Sequence, residues 1–267
     1  MEKLGQHFLI NQAAIHKIIA ALELKINETI IEIGPGRGAL TMPLIEKCRS
    51  LACKIIAIEK DQRLANELTN KLVNKESLIE VVRGDALKLL PNLIINYQPQ
   101  DTNYKIVGNI PYYITGILLR VLSELNPKPR KIVLTIQREV AQRLVAKPPK
   151  MNLLAAITQF WSQPEIINYL KPTDFEPPPK VTSAIILLTP NHDFGADPQN
   201  YYAFAKILFK QPRKTILNNL KSGTVKKPET ILELLKKYGL TGHERPQNLS
   251  LAQIKGLSSD WPKFTKT

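Results

Sequence analysis

Ile31-Glu32-Ile33-Gly34-Pro35-Gly36-Arg37-Gly38 stands between an apolar, β-branched run, Thr29–Ile33, and a segment of helical period, Ala39–Lys47. A strand that turns through glycines into a helix lets the backbone approach a ligand closely. The helix start adds unpaired N–H groups and a partial positive charge. Something small and polar is expected to bind at this crossing. Pyrophosphate-binding dinucleotide loops space their glycines as G-x-G-x-x-G, whereas Gly34, Gly36 and Gly38 are spaced two and two.

Outward from this crossing the same alternation continues. Lys54–Ile58, Ile79–Val82, Lys105–Val107 and Lys131–Ile136 read as strands, and Gln62–Leu72 and Ile114–Leu125 as helices. The pattern predicts a mainly parallel sheet covered on both faces, the α/β class with a Rossmann-like order. Ahead of it, Ile15, Ile18, Ile19 and Leu22 share one helical face, with Asn11 as N-cap. Beyond it, Arg138–Val145 reads as a helix broken at Lys147-Pro148-Pro149, followed by a helix over Asn152–Trp161. Glu165–Leu170 and Ser183–Leu188 read as late strands that complete the sheet. The polar, turn-rich run Pro190–Gln199 is taken as a boundary. Residues 1–190 then form the larger domain and 191–267 a small all-helical one, with helices near Tyr201–Leu208, Pro212–Lys221 and Glu229–Tyr238.

Composition narrows the partner. The 267 residues include 37 Lys+Arg against 23 Asp+Glu, a net charge of +14, which favours polyanions and nucleic acid first among them. Residues 190–267 carry 13 basic and 6 acidic residues, a net positive charge per residue more than twice that of the rest. No apolar run is long enough to span a membrane, and the first residues lack a signal-peptide pattern, so a cytoplasmic protein is expected. Cys48 and Cys53 cannot form a disulfide framework or a thiolate metal site alone, and His7, His16, His192 and His243 are scattered. No metal is expected.

Two carboxylates fall at C-terminal strand ends, where open α/β sheets bind ligands. Glu59 lies 21 residues after Gly38 and is suited to ribose hydroxyls, and Asp85, in Gly84-Asp85-Ala86, to an exocyclic amine. Together with the glycines, Glu32-x-Gly34-x-Gly36-x-Gly38 resembles motif I of the class I S-adenosylmethionine-dependent methyltransferases. After the fourth strand, Gly108-Asn109-Ile110-Pro111-Tyr112-Tyr113 resembles the N-x-P-Y/F motif of enzymes that methylate an exocyclic amino nitrogen. The chemistry accounts for these residue types. Adenine N6 is a poor nucleophile because its lone pair is delocalised into the ring. An amide oxygen on Asn109 and the main-chain carbonyl of Ile110 can accept its hydrogens and favour a pyramidal nitrogen. Pro111 keeps the acceptors aimed, and the Tyr112 ring can stack on the base. No strong general base is required, so alignment carries the rate. A base in a duplex cannot reach such a pocket, so the target is unpaired or extruded. Phe175, on the stiff stretch Phe175-Glu176-Pro177-Pro178-Pro179-Lys180-Val181, is the expected second face of the sandwich.

In this order the motifs resemble the small-subunit ribosomal RNA adenine dimethyltransferases of the KsgA/Dim type over nearly the whole chain. Leu4-Gly5-Gln6-His7-Phe8-Leu9, Gln137-Arg138-Glu139-Val140-Ala141, Gln211-x-Arg213-Lys214-Thr215-Ile216-x-Asn218-Asn219-Leu220, Arg245-Pro246 and Leu249-Ser250 extend the likeness. Two departures are visible: Gln-Arg stands where the family commonly has Gln-Lys, and Met151-Asn152-Leu153-Leu154 replaces a Tyr-Gly-x-Leu-Ser stretch. The resemblance implies N6,N6-dimethylation of two adjacent adenosines near the 3′ end of small-subunit rRNA, by a monomer acting on the immature small subunit. It implies that Gln6, His7, Leu9, Gly34, Gly36, Gly38, Glu59, Lys60, Asp85, Ala86 and Asn109 hold S-adenosylmethionine. Asn109, Ile110, Pro111, Tyr112 and Phe175 would serve the target base. Lys180, Lys206, Lys210, Arg213, Lys214 and Lys221 are expected on rRNA phosphates, several of them sharing a helical face; phosphate contacts position rather than specify. Two other readings stand beside this one: the related antibiotic-resistance methyltransferase of large-subunit rRNA, and a ribosome-assembly or nucleic-acid-binding protein using the fold as scaffold.

Overall fold

The computed structural model describes residues 6–72, 78–97, 103–191 and 193–261; Leu4, Gly5 and His192 of the sequence reading lie outside them. In chain order the elements are β1 Phe8–Leu9, α1 Gln12–Leu22, β2 Thr29–Ile33, α2 Thr41–Leu51, β3 Lys54–Glu59, α3 Gln62–Lys71, β4 Ile79–Arg83, α4 Ala86–Tyr97 and β5 Tyr104–Asn109. There follow α5 Thr115–Glu124, β6 Lys131–Gln137, α6 Arg138–Leu144, α7 Leu153–Trp161, β7 Ser162–Leu170, β8 Phe175–Glu176, β9 Ser183–Pro190, α8 Pro198–Leu208, α9 Ile216–Lys221, α10 Pro228–Lys237 and α11 Leu251–Asp260.

The chain divides into two compact units, Met1–Ala141 with Gln163–Pro190, and Gln142–Ser162 with Asn191–Thr267. A single cut after residue 190 is therefore corrected, because α7 belongs with the C-terminal helices. The Phe160 ring stacks on Tyr201 at 3.9 Å between centroids, the Tyr201 hydroxyl donates to the Ala156 carbonyl, and the Met151 N–H donates to the Gln247 carbonyl. Aromatic burial of this kind outweighs the chain's return to the sheet immediately afterwards.

The larger unit holds a seven-stranded sheet in the order β4-β3-β2-β5-β6-β9-β7. From β4 to β6 neighbouring strands are parallel, and β9 pairs antiparallel with β6. Both faces are covered, so the central strands are continuous apolar runs, such as Ile30, Ile31, Ile106, Val107, Ile132 and Val133. The strand order reverses between β2 and β5, and at such a switch point a crevice opens beyond the C-terminal strand ends. Register sets what meets there: Ile33 pairs with Gly108, so the residues that follow, Gly34 and Asn109, are neighbours. Only glycine fits at 108, where a Cβ would come within 2.6 Å of the Ile33 carbonyl oxygen.

Helix α1 shows the amphipathic logic of the covering layers. Ile15, Ile18 and Leu22 are buried on its inner face, each contributing about 1.5–3 kcal/mol. Asn11 caps it by accepting from the Ala14 N–H, and its amide also donates to Asp174 Oδ1 at 2.7 Å. Asp174 accepts from the Ile10 and Asn11 N–H groups through its carbonyl as well, and β1 pairs antiparallel with β8. The chain start is thereby strapped to the segment 174–177.

Two helices were not anticipated. Helix α4 carries Pro91 in its interior, a residue that argues against a helix on propensity alone. Helix α11 begins with a capping box, Ser250 and Gln253, a signal that was present in the sequence. Helix α9 starts at Ile216 rather than Pro212. Thr215 caps it, and the buried Asn219 amide bonds back to Gln211, Lys214 and Thr215, which holds residues 211–215 as a turn. Among the described residues no helix is long and apolar enough to cross a membrane, and no group of three or more His, Cys, Asp or Glu is placed to hold a metal.

Candidate functional site

Strands β2, β3, β4 and β5 end around a cavity of about 220 Å³. The glycine crossing forms its floor. Gly36, at φ +56°, turns its N–H to Glu59 Oε2 at 3.0 Å, and a Cβ there would sit 2.9 Å from the Phe8 ring. Phe8 therefore lies directly on the loop, with the Arg37 guanidinium over its ring at 4.5 Å. The strap Gln6–Leu9 forms one wall, held by β8 and by a 2.7 Å contact between His7 Nδ1 and the Pro177 carbonyl.

The carboxylates are placed by the strands that carry them. Glu59, the last residue of β3, is buried and accepts from the Gly36 and Asp61 N–H groups, one on each oxygen. This fixes its plane toward the cavity with lone pairs to spare. Asp85 accepts from the Leu87 N–H and pairs with Lys60 at 3.0 Å. Burial pushes the Asp85 carboxyl upward, but Lys60, the Leu87 N–H and the charge of Lys88 together hold it below the ordinary range. Glu32 is enclosed completely. Desolvation pushes it up to about 8, opposed by Thr41 and reinforced by the Glu59 charge, and its Oε2 has no hydrogen-bond partner among the described residues.

On the opposite side, β5 delivers Asn109. Its Nδ2 donates to the His7 carbonyl at 2.8 Å, which orients the amide, and Oδ1, beside the cavity, has no partner among the described residues. Pro111, at φ −58° and ψ 134°, starts a short 3-10 turn over Tyr112–Ile114. The Tyr112 hydroxyl is 2.6 Å from Ser183 Oγ, and its ring stacks with His7 at 6.0 Å and 24°. Burial raises the Tyr112 hydroxyl, so it stays protonated.

Gln6, His7, Leu9, Gly34, Gly36, Glu59, Lys60, Asp85, Ala86, Asn109, Ile110, Pro111 and Tyr112 thus line one cavity. Two residues expected there do not. Gly38 sits behind the loop, where its N–H closes the turn to the Pro35 carbonyl and it faces Leu68 and Met42. Phe175 is 2% exposed and packs in the core with Leu9, Ile15 and Leu170. It offers no open ring to a base; it anchors β8, on which the strap lies. Residues that sequence reasoning passed over also line the cavity, among them Leu87, Tyr113 and Ile117, the last two 61% and 58% exposed. An aromatic next to the Asn-Pro-Tyr stretch was the available signal.

The six basic residues are all exposed, but they do not share one helical face. Lys206 lies in α8, Lys210 follows that helix, Lys221 ends α9, and Arg213 and Lys214 occupy the turn that Asn219 holds. Lys180 lies between β8 and β9.

The family model described as "Ribosomal RNA adenine dimethylase" matches residues 1–258. A protein of Dehalococcoides mccartyi named ribosomal RNA small subunit methyltransferase A is 37% identical over 261 residues, covering 97% of this chain and 87% of its own. One of the same name from Thermosynechococcus vestitus is 34% identical, covering 96% and 95%. Among solved structures, a dimethyladenosine transferase from Plasmodium falciparum superposes with a TM-score of 0.79 at 25% identity, covering 96% of this chain and 98% of that one. The 23S rRNA methyltransferase ErmE gives 0.74 at 25% identity, covering 94% and 98%. The fold is that of class I methyltransferases. A crevice that pairs a glycine crossing with an amide-bearing turn is what such an enzyme requires, and with the match running from the first residue to 258, this chain belongs to the ribosomal RNA adenine dimethylase family.

Proposed function

We propose that this protein uses S-adenosylmethionine to convert two adjacent adenosines near the 3′ end of small-subunit rRNA to N6,N6-dimethyladenosine during small-subunit biogenesis in the cytoplasm. One observation carries the chemistry: the Asn109 amide, tied by its nitrogen to the His7 carbonyl, keeps its oxygen free beside the glycine crossing. S-adenosylmethionine, when bound, supplies a sulfonium methyl. The chain's residues fit it. Glu59 stands ready for ribose hydroxyls, Asp85 and Ala86 border the base end, and Glu32, whose Oε2 has no hydrogen-bond partner among the described residues, lines the same cavity with Gly34 and Gly36.

Asn109 Oδ1 and the Ile110 carbonyl accept the two N6 hydrogens of the target adenine, which draws the lone pair out of the ring. Tyr112, pinned by Ser183, presents its ring to the base. S-adenosylmethionine would supply the methyl carbon and keep the C–S bond pair on its sulfur, and N6, held by Asn109 and Ile110, would shed its proton to solvent. The low pKa of the alkylated nitrogen makes a dedicated base unnecessary. The unit of Gln142–Ser162 with Asn191–Thr267 contributes Lys206, Lys210, Arg213, Lys214 and Lys221 to rRNA phosphates, and Lys180 does so from the catalytic unit; all six are exposed.

The deciding experiment supplies labelled cofactor with purified immature small subunits and, separately, large subunits. Two neighbouring dimethyladenosines in small-subunit rRNA are expected by mass spectrometry. Label confined to large-subunit rRNA would assign the chain to the activity named for ErmE, and no incorporation into either would leave a scaffold protein.

Gly36→Ala tests the cofactor cradle. A β-carbon 2.9 Å from the Phe8 ring, at a φ of +56°, forces loop and strap apart. Titration calorimetry with S-adenosylmethionine is expected to show affinity reduced by about ten-fold or more, the equivalent of ~1.4 kcal/mol. Undiminished affinity would remove Gly36 from the cradle.

A further inference from the structure

The catalytic unit exposes several large apolar side chains. Besides Tyr113 and Ile117 at the cavity, Tyr169 is 47% and Val181 43% exposed. Tyr169 does not stand alone. The Arg138 guanidinium lies over its ring at 4.9 Å, and Arg138 is itself exposed. Backbone pairing ties this pair to the target pocket. Arg138 follows Gln137, the register partner of Ser183 in the β6–β9 pair, and Ser183 is the residue that holds the Tyr112 hydroxyl. The Arg138 N–H donates to the Thr182 carbonyl at 3.0 Å, two residues beyond Lys180. A guanidinium over a phenol ring, both open to solvent, with exposed Lys180 on the segment leading into β9, therefore stand beside the Gln137–Ser183 pair that holds Tyr112.

We propose that Arg138 and Tyr169 form a stacking platform for an unpaired nucleotide of the rRNA strand that continues from the target adenosine, with Lys180 on its phosphate. The proposal rests on the function given above. An extruded base leaves its neighbours unstacked, and a π-face with a cation beside it is the surface that replaces lost base stacking without reading sequence. A net charge of +14 and an arginine lying over a ring complement a phosphate-linked base rather than an apolar or basic protein surface.

The test is steady-state methylation of purified immature small subunits. Tyr169→Ala is expected to raise KM for the subunit about ten-fold, with kcat at saturating subunit and S-adenosylmethionine affinity unchanged. Tyr169→Phe is expected to keep the wild-type KM. Adding Arg138→Ala to Tyr169→Ala should add little, because the two side chains act as one surface. Arg138→Lys should raise KM although the charge is retained. An unchanged KM in Tyr169→Ala, or equal losses in Tyr169→Phe and Tyr169→Ala, overturns the platform. Failure of the wild-type protein to methylate small subunits overturns the functional reading instead, so the two failures are distinguishable.

Discussion

Asn109→Ala is expected to lower the rate of methyl transfer at saturation by about 10²–10³-fold, the loss seen when one preorganised group aimed at developing charge is removed. The side chain has two separable jobs. Its Nδ2 donates to the His7 carbonyl at 2.8 Å and so steadies the strap over the glycine loop, while Oδ1 is left to accept from the target amine. Loss of the first costs one hydrogen bond, about 0.5–1.5 kcal/mol, which reads as a cofactor affinity weakened by no more than about ten-fold. Loss of the second removes the acceptor that localises the N6 lone pair, and it acts on turnover. Single-turnover methylation and cofactor titration on the same variant separate the two. Turnover equal to wild type would reject the role of the amide, and a cofactor affinity lost in proportion to rate would make Asn109 a cofactor residue alone.

The second large effect is on stability. Lys105 and Glu28 form an ion pair at 2.7 Å with side chains 3% and 0% exposed, inside the sheet-bearing unit. The Lys105 ammonium also donates to the Glu23 carbonyl at 2.7 Å, and Glu28 Oε2 accepts from the Lys25 N–H at 2.7 Å. Lys105→Met leaves a buried carboxylate facing apolar side chains. It is expected to destabilise the protein by about 3–5 kcal/mol, read from urea unfolding. Lys105→Met/Glu28→Leu should recover most of that loss, because the greater part of it is the penalty of one stranded charge rather than the worth of the pair. A double variant as unstable as the single would show that Lys105 acts by its contact with Glu23 instead.

Neither the pair nor its burial can be read from the chain. Lys105 opens a segment that reads as a strand and is one, but a lysine at a strand start ordinarily faces solvent. Its partner is 77 residues away, brought there by the pairing of β5 beside β2. Phe175 illustrates the reverse error. Its place in a proline-rich motif made it the second wall of the base site, yet the ring fills the core while the backbone of β8 supports β1. A side chain's direction out of an irregular segment depends on what that segment packs against. Gly38 is similar: the spacing of the three glycines is local, but which of them faces the crevice depends on helix α2 and on Leu68 from α3. The placement of 142–162 with the C-terminal helices likewise follows from the Phe160–Tyr201 stack, between rings 41 residues apart.

By itself the sequence determined the five strands from Thr29 to Ile136 and the helices between them other than α4, the glycine crossing, the acidic residues at strand ends and the Asn-Pro-Tyr turn. These are legible because hydrophobic period, turn chemistry and strand-end position are local properties of consecutive residues. The tertiary structure alone decided that His7 would hold the Asn109 amide, that Glu32 and Glu59 would be enclosed together, and that Arg138 would lie on Tyr169. Each of those relations joins residues far apart in the chain. Strand register and the packing of side chains into a shared interior set their distance, and no local pattern contains either.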